Sequence, residues 1–317
     1  MPYDRPWLSF EDQLQQLEER GLGVTDRASA VSYLDRVGYY RLSGYWYPFR
    51  ENQTEQVLGK KDSFIPGTRF SDALNLYVFD KKLRLLVLDA LERIEVAIRV
   101  DIAHRLGERD TFAYQHPQWF DGKFTQRGRN GEPGSHEKWL IHYDRLVDRS
   151  KETFIKHYKS KHGLPLPIWV AIEVWDFGAM SILFAGMKRT DRDWIGAKYG
   201  VADGRVFASW LRSLNYIRNL CAHHSRLWNR NVVDQARFPD VLTVGDLAHF
   251  IQHPHLIARP FAYFCILQWL MREISPNSHW HQRFKEHLLG FPEDGQGTCS
   301  LVQMGCPPQW ENWGLWK

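Results

Sequence analysis

The chain has 317 residues, and 44% of them are hydrophobic, which is enough for one large domain or two smaller ones around a substantial core. Its formal net charge of +4 is only mildly basic, so charge alone does not predict nucleic-acid binding and the local distribution of charge must decide. The first ten residues lack the apolar core of a signal peptide.

The cysteines and the longest apolar stretch exclude two further kinds of protein. The cysteines form neither a Cys-x-x-Cys pair nor another zinc-binding pattern, so we expect free thiols in a reducing cytoplasm. Residues 164–187 are strongly apolar, but Glu173 and Asp176 interrupt them, which favours a buried helix over a membrane span. We therefore expect a cytoplasmic protein with no membrane contact, no metal and no other cofactor. The four cysteines are Cys221, Cys265, Cys299 and Cys306.

The N-terminal part of the chain begins with two predicted helices and an aromatic segment. Residues 8–20 place Ser9 and Asp12 in the spacing of a helix N-cap, and a second short helix is predicted over 26–37. Residues 39–50 hold six aromatic residues and two arginines. This segment suits either core packing, which we favour, or a surface on which RNA bases stack.

The rest of the chain is mainly helical in its periodicity. Apolar residues recur at threes and fours from 70 to 106, which predicts the longest helix, whereas 116–135 is rich in Gly and polar residues and predicts an exposed loop. Few strand patterns and no internal repeat occur, so the predicted class is all-α. Further helices are predicted over 136–160, over 168–187, from Asp191, from about Asp203 to Arg226, over 243–252 and over 259–274.

These patterns divide the chain into three parts. Residues 1–69 form an N-terminal helical and aromatic module, 70–290 form the main helical domain, and 291–317 form an irregular C-terminal tail. The tail carries three tryptophans at threefold spacing, which can dock on a partner protein or fold back onto the core. They are Trp310, Trp313 and Trp316.

A segment with five arginines and no acidic residue extends from Arg205 to Arg230. Aromatic residues are interleaved with the arginines, and arginine binds phosphate through two N–H groups and stacks on bases. The pattern therefore favours an RNA-binding face, although a solvated basic face above a packed core is the simpler alternative. The candidate RNA-binding residues are Arg205, Arg212, Arg230 and, from the aromatic segment, Arg41.

The same segment contains two adjacent histidines, His223 and His224. An ordinary histidine titrates near neutrality, so it can accept or donate a proton there. RNA cleavage by the 2′-hydroxyl needs a base, an acid and a cation beside the phosphate, and Arg218 with His223 supplies groups of these types without a metal. Adjacent histidines without a nearby acid are a poor metal site. We assign supporting roles to His224 and Arg226.

The spacing of Arg218 and His223 constrains how such a site is built. Five residues of an ideal helix turn through roughly 500°, which leaves the two side chains about 140° apart. We therefore expect either that the helix ends near Cys221 or that a second motif completes the site across a groove.

The stretch R-N-L-C-A-H-H-S-R-L-W-N resembles the abortive-infection AbiD/AbiF-like family of bacterial phage-defence proteins, within the HEPN superfamily of helical proteins. Three other stretches resemble the same family in the same order, so the likeness covers about residues 30–230. They are G-Y-Y-R-L-S-G-Y-W-Y-P-F at 38–49, F-D-K-K-L-R-L-L-V-L-D-A-L-E-R-I-E-V-A-I-R at 79–99 and L-P-I-W-V-A-I-E-V-W-D-F-G-A-M-S at 166–181.

The resemblance implies a HEPN-like helical bundle and a metal-independent endoribonuclease that acts as a defence toxin. It also implies that Arg218 and His223 act in RNA cleavage and that Asn219 orients the histidine. Sites of this superfamily usually combine two such motifs, from a homodimer or from two domains of one chain, as in the type VI CRISPR effectors that the family also resembles.

A second Arg-x4-His spacing, Arg99 with His104, is a candidate partner motif within the chain. Val100 stands where the superfamily has a polar residue, and Arg99 is placed to form a helix ion pair with Glu95, which leaves His104 on the surface. We favour the ion pair. We also expect three carboxylates to hold arginines in place. They are Asp80, Glu92 and Glu173.

Two alternatives to a nuclease remain open at this point. The first is a non-catalytic RNA-binding protein that holds a structured noncoding RNA, since some members of the resembling family are associated with one. The second is a helical protein whose target is another protein, with the tryptophan-rich tail as its docking segment.

Overall fold

The computed structural model describes residues 6–51, 63–239 and 245–317. Within these residues fourteen α-helices are joined by short 3-10 turns and loops, with no β-strand, so the predicted all-α class is confirmed. The helices are α1 (Phe10–Glu19), α2 (Arg27–Val37), α3 (Tyr39–Trp46), α4 (Phe70–Gly107), α5 (Gly122–Thr125), α6 (Ser135–Arg149), α7 (Thr153–His162), α8 (Ile168–Ala171), α9 (Phe177–Gly186), α10 (Arg189–Lys198), α11 (Gly204–Ala222), α12 (Ala248–Gln252), α13 (Pro260–Ile274) and α14 (Trp280–Leu289).

The long helix α4 is the centre of the fold. It has 38 residues, which corresponds to a length of about 57 Å. Helices α3, α8, α9, α10, α11, α13 and α14 all contact it. One apolar face of α4 is fully buried and includes Leu83, Val87, Ile94 and Ile98, whereas Leu85 is 60% exposed although it follows the same threes-and-fours spacing.

Two predicted helices are each broken into shorter pieces. The helix predicted over 136–160 is two helices, α6 and α7, because the backbone is extended at Ser150 and Glu152. The buried helix predicted over 168–187 is also wrong, because the chain extends at Trp175 and Asp176 then caps α9. The Asp176 Oδ1 atom accepts a hydrogen bond from the Ala179 amide at 2.7 Å, which is the usual reason for an aspartate to begin a helix.

The smaller predicted elements are confirmed in one case and differ from the structure in others. Ser9 and Asp12 form the expected capping box at α1. The helices α3, α7 and α14 were not predicted separately, and α5 lies inside the predicted loop 116–135. Residues 243 and 244 of the predicted helix 243–252 lie outside the described part of the chain.

The aromatic segment 39–50 serves mainly to pack α3 against α4. Tyr45, Trp46 and Phe49 are buried, which confirms the favoured interpretation, while Tyr40 and Tyr47 remain 76% and 47% exposed. The segment therefore packs mainly into the core and leaves two tyrosines at the surface.

The tryptophans of the tail fold back onto the core rather than projecting from it. Trp310 and Trp316 are almost fully buried, and the ring of Trp316 stacks on Phe284 of α14 with centroids 5.3 Å apart. Trp316 also lies against Phe261 of α13. The docking of this tail on a partner protein thus loses its structural support.

A buried ion pair fastens the segment after α11 to the central helix. Asp80 of α4 is fully buried and pairs with Arg84 one turn later. Its carboxylate accepts hydrogen bonds from the amides of Leu227 at 3.1 Å and Trp228 at 2.8 Å, and from the Tyr45 hydroxyl at 2.6 Å. Burial raises the pKa of the Asp80 carboxyl, and Arg84 and these donors oppose that effect.

The turn that ends α11 has the geometry of a Schellman motif. The amide of Ser225 bonds to the carbonyl of Leu220 at 2.8 Å, and the amide of His224 bonds to the carbonyl of Cys221 at 3.1 Å. His224 has φ +57°, in the left-handed region where glycine is preferred. Helix α11 therefore ends at Ala222, next to Cys221, where one of the two options for the motif places the end of the helix. It is shorter than the predicted helix, which extends to Arg226.

Replacing Asp80 by asparagine should destabilise the protein by about 3–5 kcal/mol, because it leaves the Arg84 guanidinium buried without a counter-charge. Urea unfolding followed by tryptophan fluorescence measures the change. The matched control is the double variant Asp80→Asn/Arg84→Met, which should lose less than the sum of the two single variants. Additive losses would mean that the two side chains are not coupled in solution.

Replacing His224 by glycine should raise the free energy of unfolding by about 1 kcal/mol, because glycine adopts the left-handed conformation without steric cost. The control is His224→Ala, which keeps a β-carbon and should match the wild type within roughly 0.5 kcal/mol. If the glycine variant is no more stable than the alanine variant in urea, the turn does not have this geometry in solution.

Candidate active site

A cleft of about 350 Å³ opens between α6, α9 and α11. One wall is formed by polar side chains of α11, and the other by a histidine of α6 and the first turn of α9. Its lining residues are His142, Asp176, Phe177, Gly178, Ala179, Ile182, Asn215, Arg218 and Asn219.

Two of the three motif residues lie together in this cleft. Arg218 and Asn219 are both partly buried, and the Arg218 Nη1 atom donates to the Asn219 Oδ1 atom at 3.4 Å. The link between Asn219 and His223 is a main-chain one, in which the His223 amide donates to the Asn219 carbonyl at 3.0 Å. The Asn219 side chain is thus directed at the arginine, which differs from its expected role of orienting the histidine.

The two histidines lie beyond the cleft, at the exposed end of α11. The helix stays regular to Ala222, so the angular separation expected of Arg218 and His223 persists, and His223 is not among the residues that line the cleft. Both His223 and His224 are exposed to solvent. The motif is therefore divided between the cleft and the surface next to it.

Arginines hold the histidine turn, the segment 220–226 that ends α11 and carries His223 and His224. The Arg41 Nη1 atom donates to the His224 carbonyl at 2.6 Å, and Arg226 donates to the Gly44 carbonyl of α3. Arg84 donates to the Ser225 carbonyl at 3.2 Å. Arg226, for which a supporting role is predicted, joins the turn to α3, and burial lowers its pKa.

The candidate second motif is only half present near the cleft. Arg99 forms the favoured ion pair with Glu95 and also donates to the Trp175 carbonyl, directly before the cleft residue Asp176. Burial raises the pKa of the Glu95 carboxyl, and the nearby Arg99 and Arg218 guanidinium groups lower it. The Glu95 carboxylate is therefore close enough to both Arg99 and Arg218 to interact electrostatically with each of them.

The other half of that motif lies elsewhere. His104 is exposed and does not line the cleft, as the ion-pair interpretation expects. Of the three carboxylates expected to hold arginines, Asp80 does so, whereas neither Glu92 nor Glu173 forms an ion pair with an arginine within the described ranges.

A second, arginine-lined cleft of about 240 Å³ lies next to the first along α9 and α11. Ile182 is 52% exposed and lines both clefts. Arg205 is paired with Asp203 and is exposed, and the Arg212 Nε atom lies 4.0 Å from Asp234. The arginines that line this cleft are Arg192, Arg205, Arg212 and Arg237.

The predicted RNA-binding residues therefore occupy separate places. Arg205 and Arg212 share the arginine-lined cleft, and Arg41 lies at the histidine turn. Arg230 is exposed outside both clefts and donates to the Tyr216 hydroxyl at 3.4 Å. Sequence reasoning missed Arg192 and Arg237, because nothing in their local spacing relates them to α11.

Sequence reasoning also missed His142. Its Nε2 atom lies 3.4 Å from the Asp176 Oδ2 atom across the cleft entrance. The two residues are far apart in the chain, so no local pattern links them. Asp176 lies in one of the four stretches that resemble the family, where it interrupts an apolar run of the sequence.

Other kinds of site are not formed by the part of the chain that the structure describes. Within it, no three His, Cys, Asp or Glu side chains are grouped so as to hold a metal ion. None of its helices has both the length and the apolar character needed to cross a bilayer. All four cysteines are free and buried.

Comparison with known proteins identifies the family. A family model described as Abi-like protein matches residues 32–229, more than half of the chain, and this range contains the residues of both clefts except Arg237. No curated protein and no solved structure gives a match. The family suggests a part in abortive infection, a form of phage defence. The chain belongs to the Abi-like protein family.

Proposed function

We propose that this protein is a metal-independent endoribonuclease of phage defence, with Arg218, Asn219 and His223 as its central residues. The observation that carries the proposal is the placement of Arg218 and Asn219 in a solvent-accessible cleft, with His223 exposed at the adjoining end of the same helix. Resemblance of this motif to that of the HEPN superfamily supports it.

The chemistry requires groups that are of the types found here. A guanidinium such as that of Arg218 binds the non-bridging oxygens of a phosphodiester through two parallel N–H groups. The 2′-hydroxyl then attacks phosphorus, its proton passes to a base, and the 5′-oxygen leaves with a proton from an acid. The products are a 2′,3′-cyclic phosphate and a 5′-hydroxyl.

The hydrogen bonds that hold the histidine turn in place favour a catalytic role over nonspecific RNA binding. Arg41 and Arg84 donate to carbonyl oxygens of the turn, Arg226 bonds the turn to the Gly44 carbonyl of α3, and the Asp80 carboxylate accepts from the amides that follow. Catalytic groups need support of this kind, because a shift of about 1 Å costs orders of magnitude in rate. The left-handed backbone of His224 lowers the stability of this turn, and strain of this kind is concentrated at functional sites.

The exposed position of His223 also suits a homodimer. A second copy that docks on the end of α11 would set two histidine turns face to face, in the manner of paired HEPN motifs. We propose this assembly together with the nuclease activity.

Cleavage is tested with purified protein and labelled total and structured RNAs in excess EDTA. Arg218→Ala and His223→Ala should each lower the rate at least about 100-fold, because each removes a group that acts in the transition state. The matched control is His104→Ala, which removes an exposed histidine of the same Arg-x4-His spacing and should keep full activity.

Analysis of the product ends makes the test specific. Wild-type products should carry 2′,3′-cyclic phosphates. If His223→Ala cleaves as fast as the wild type, or if the wild type cleaves nothing, the proposed nuclease assignment is wrong.

A second candidate function is the holding of a structured RNA without cleavage. The observation that favours it is the arginine-lined cleft, where four arginines converge and Arg237 is exposed. Such a surface binds phosphates regardless of sequence.

Binding by this cleft is tested through its salt dependence. Arg212→Ala and Arg237→Ala should each reduce the slope of log K against log salt by roughly 0.7–0.9, the range between one phosphate contact on a single strand and one on a duplex. Arg36→Ala is the control, since Arg36 on α2 is 82% exposed and distant from the clefts in sequence. An unchanged slope in both cleft variants would remove this surface from RNA binding.

A further inference from the structure

We propose that His142 is a catalytic residue of the Arg218 cleft, that Asp176 positions it, and that the cleft thereby has its own histidine and arginine within one chain. The inference rests on the proposed function and extends it. The substrate class is an RNA phosphodiester. Arg218 and Asn219 line the cleft, but the motif histidine His223 does not. The histidine that lines the cleft is His142.

The carboxylate next to His142 is held in place by secondary structure. The Asp176 Oδ1 atom accepts from the Ala179 amide at 2.7 Å as the N-cap of α9, so the orientation of the carboxylate is fixed. Its other oxygen, Oδ2, is left to face the His142 Nε2 atom at 3.4 Å. A carboxylate that is fixed beside an imidazole nitrogen selects the ring orientation and the tautomer, which is how such pairs support proton transfer.

Helix α6 is anchored close to this histidine. Trp139 lies three residues before His142 and is buried, and its Nε1 atom donates to the Ala179 carbonyl at 2.8 Å. The same residue of α9 therefore bonds to α6 through its carbonyl and to Asp176 through its amide. Both members of the His142–Asp176 pair are thus tied to one turn of α9.

Substrate can reach the pair. The side chains of His142 and Asp176 are 45% and 38% exposed, so neither is sealed in the core. Gly178 lies between the two walls, where an added β-carbon would come within 3.3 Å of the Asp176 Oδ1 atom and 3.6 Å of the Asn215 side chain. The lack of a side chain at Gly178 keeps the cleft open, and its volume of about 350 Å³ suits a small ligand group such as a nucleotide.

The opposite wall supplies what a phosphodiester needs. Arg218 presents a cation, and Asn215 and Asn219 present amide groups that donate to phosphate or sugar oxygens. With a phosphate held on Arg218, one histidine takes the proton of the 2′-hydroxyl as the bond from that oxygen to phosphorus forms. The other histidine gives a proton to the 5′-oxygen as its bond to phosphorus breaks. His142 fills one of these roles, and His223, at the exposed end of α11 beyond the cleft, fills the other.

The first test is the cleavage rate of His142→Gln on labelled RNA in EDTA. We expect a fall of at least about 100-fold with little change in RNA affinity, because glutamine keeps hydrogen-bonding ability but cannot transfer a proton. His157→Gln is the matched control, since it changes an exposed histidine on the next helix, and it should cleave normally. If His142→Gln stays within twofold of the wild type while His223→Ala is inactive, the inference is overturned and the proposed function stands.

Asp176→Asn tests the positioning role. Asparagine also caps helices, so α9 should form normally while the charge beside His142 is lost. We expect a lower kcat with an unchanged KM and a displaced pH profile. A normal kcat and pH profile in this variant would remove Asp176 from the proposal.

A measurement that does not depend on cleavage separates this inference from the proposed function. The ring signals of His142 in the ¹H–¹⁵N spectrum of the wild type, assigned with His142→Gln, are followed as the 2′-deoxy dinucleotide dTpdT is added. They should shift, and Arg218→Ala should abolish the shift. If wild type cleaves no RNA, the nuclease assignment fails by itself, and a shift here still supports His142 facing a bound phosphodiester. The absence of a shift overturns that placement.

Discussion

The buried pair of Asp80 and Arg84 is the interaction on which the candidate site depends. Burying two opposite charges is costly, and it is tolerated only where every polar atom finds a partner. Here the partners come from α3, from α4 and from the segment after α11. The ion pair therefore fixes the position of the chain just beyond His223 relative to the central helix. Three of the four stretches that resemble the family meet at this pair.

The cleft is lined by parts of three helices that are distant from one another in the sequence. Asp176 has two tasks, since one oxygen begins α9 and the other faces His142. Arg99 pairs with Glu95 and donates to the Trp175 carbonyl next to Asp176, and the Arg218 guanidinium is near enough to Glu95 to lower the pKa of its carboxyl. The cleft thus places the guanidinium of Arg218 and the carboxylate of Asp176 in one lining.

The sequence predicted the parts of the molecule that depend on local periodicity. The apolar spacing of α4 and α11 and the cap at Ser9 gave nearly correct helices, and the arginine-histidine segment identified one wall of the cleft. The break at Asp176 was missed because a long apolar run favours a continuous helix. The N-cap hydrogen bond of Asp176 determines where α9 begins only once that helix has packed. His142 was missed because its relation to Arg218 exists only in the packed fold. The helical state of 39–46 was obscured by its aromatic content, which is set by burial against α4.

The order of the cleft residues along the chain has a consequence during protein synthesis. His142, Asp176 and Arg218 come from three helices that are translated one after another, and each contributes a different chemical group. A nascent polypeptide that has emerged only as far as α9 contains the histidine and the carboxylate but not the guanidinium that binds phosphate. Under the proposed nuclease function, such a chain would be inert towards the messenger and the ribosome that are making it until α11 has been translated and packed.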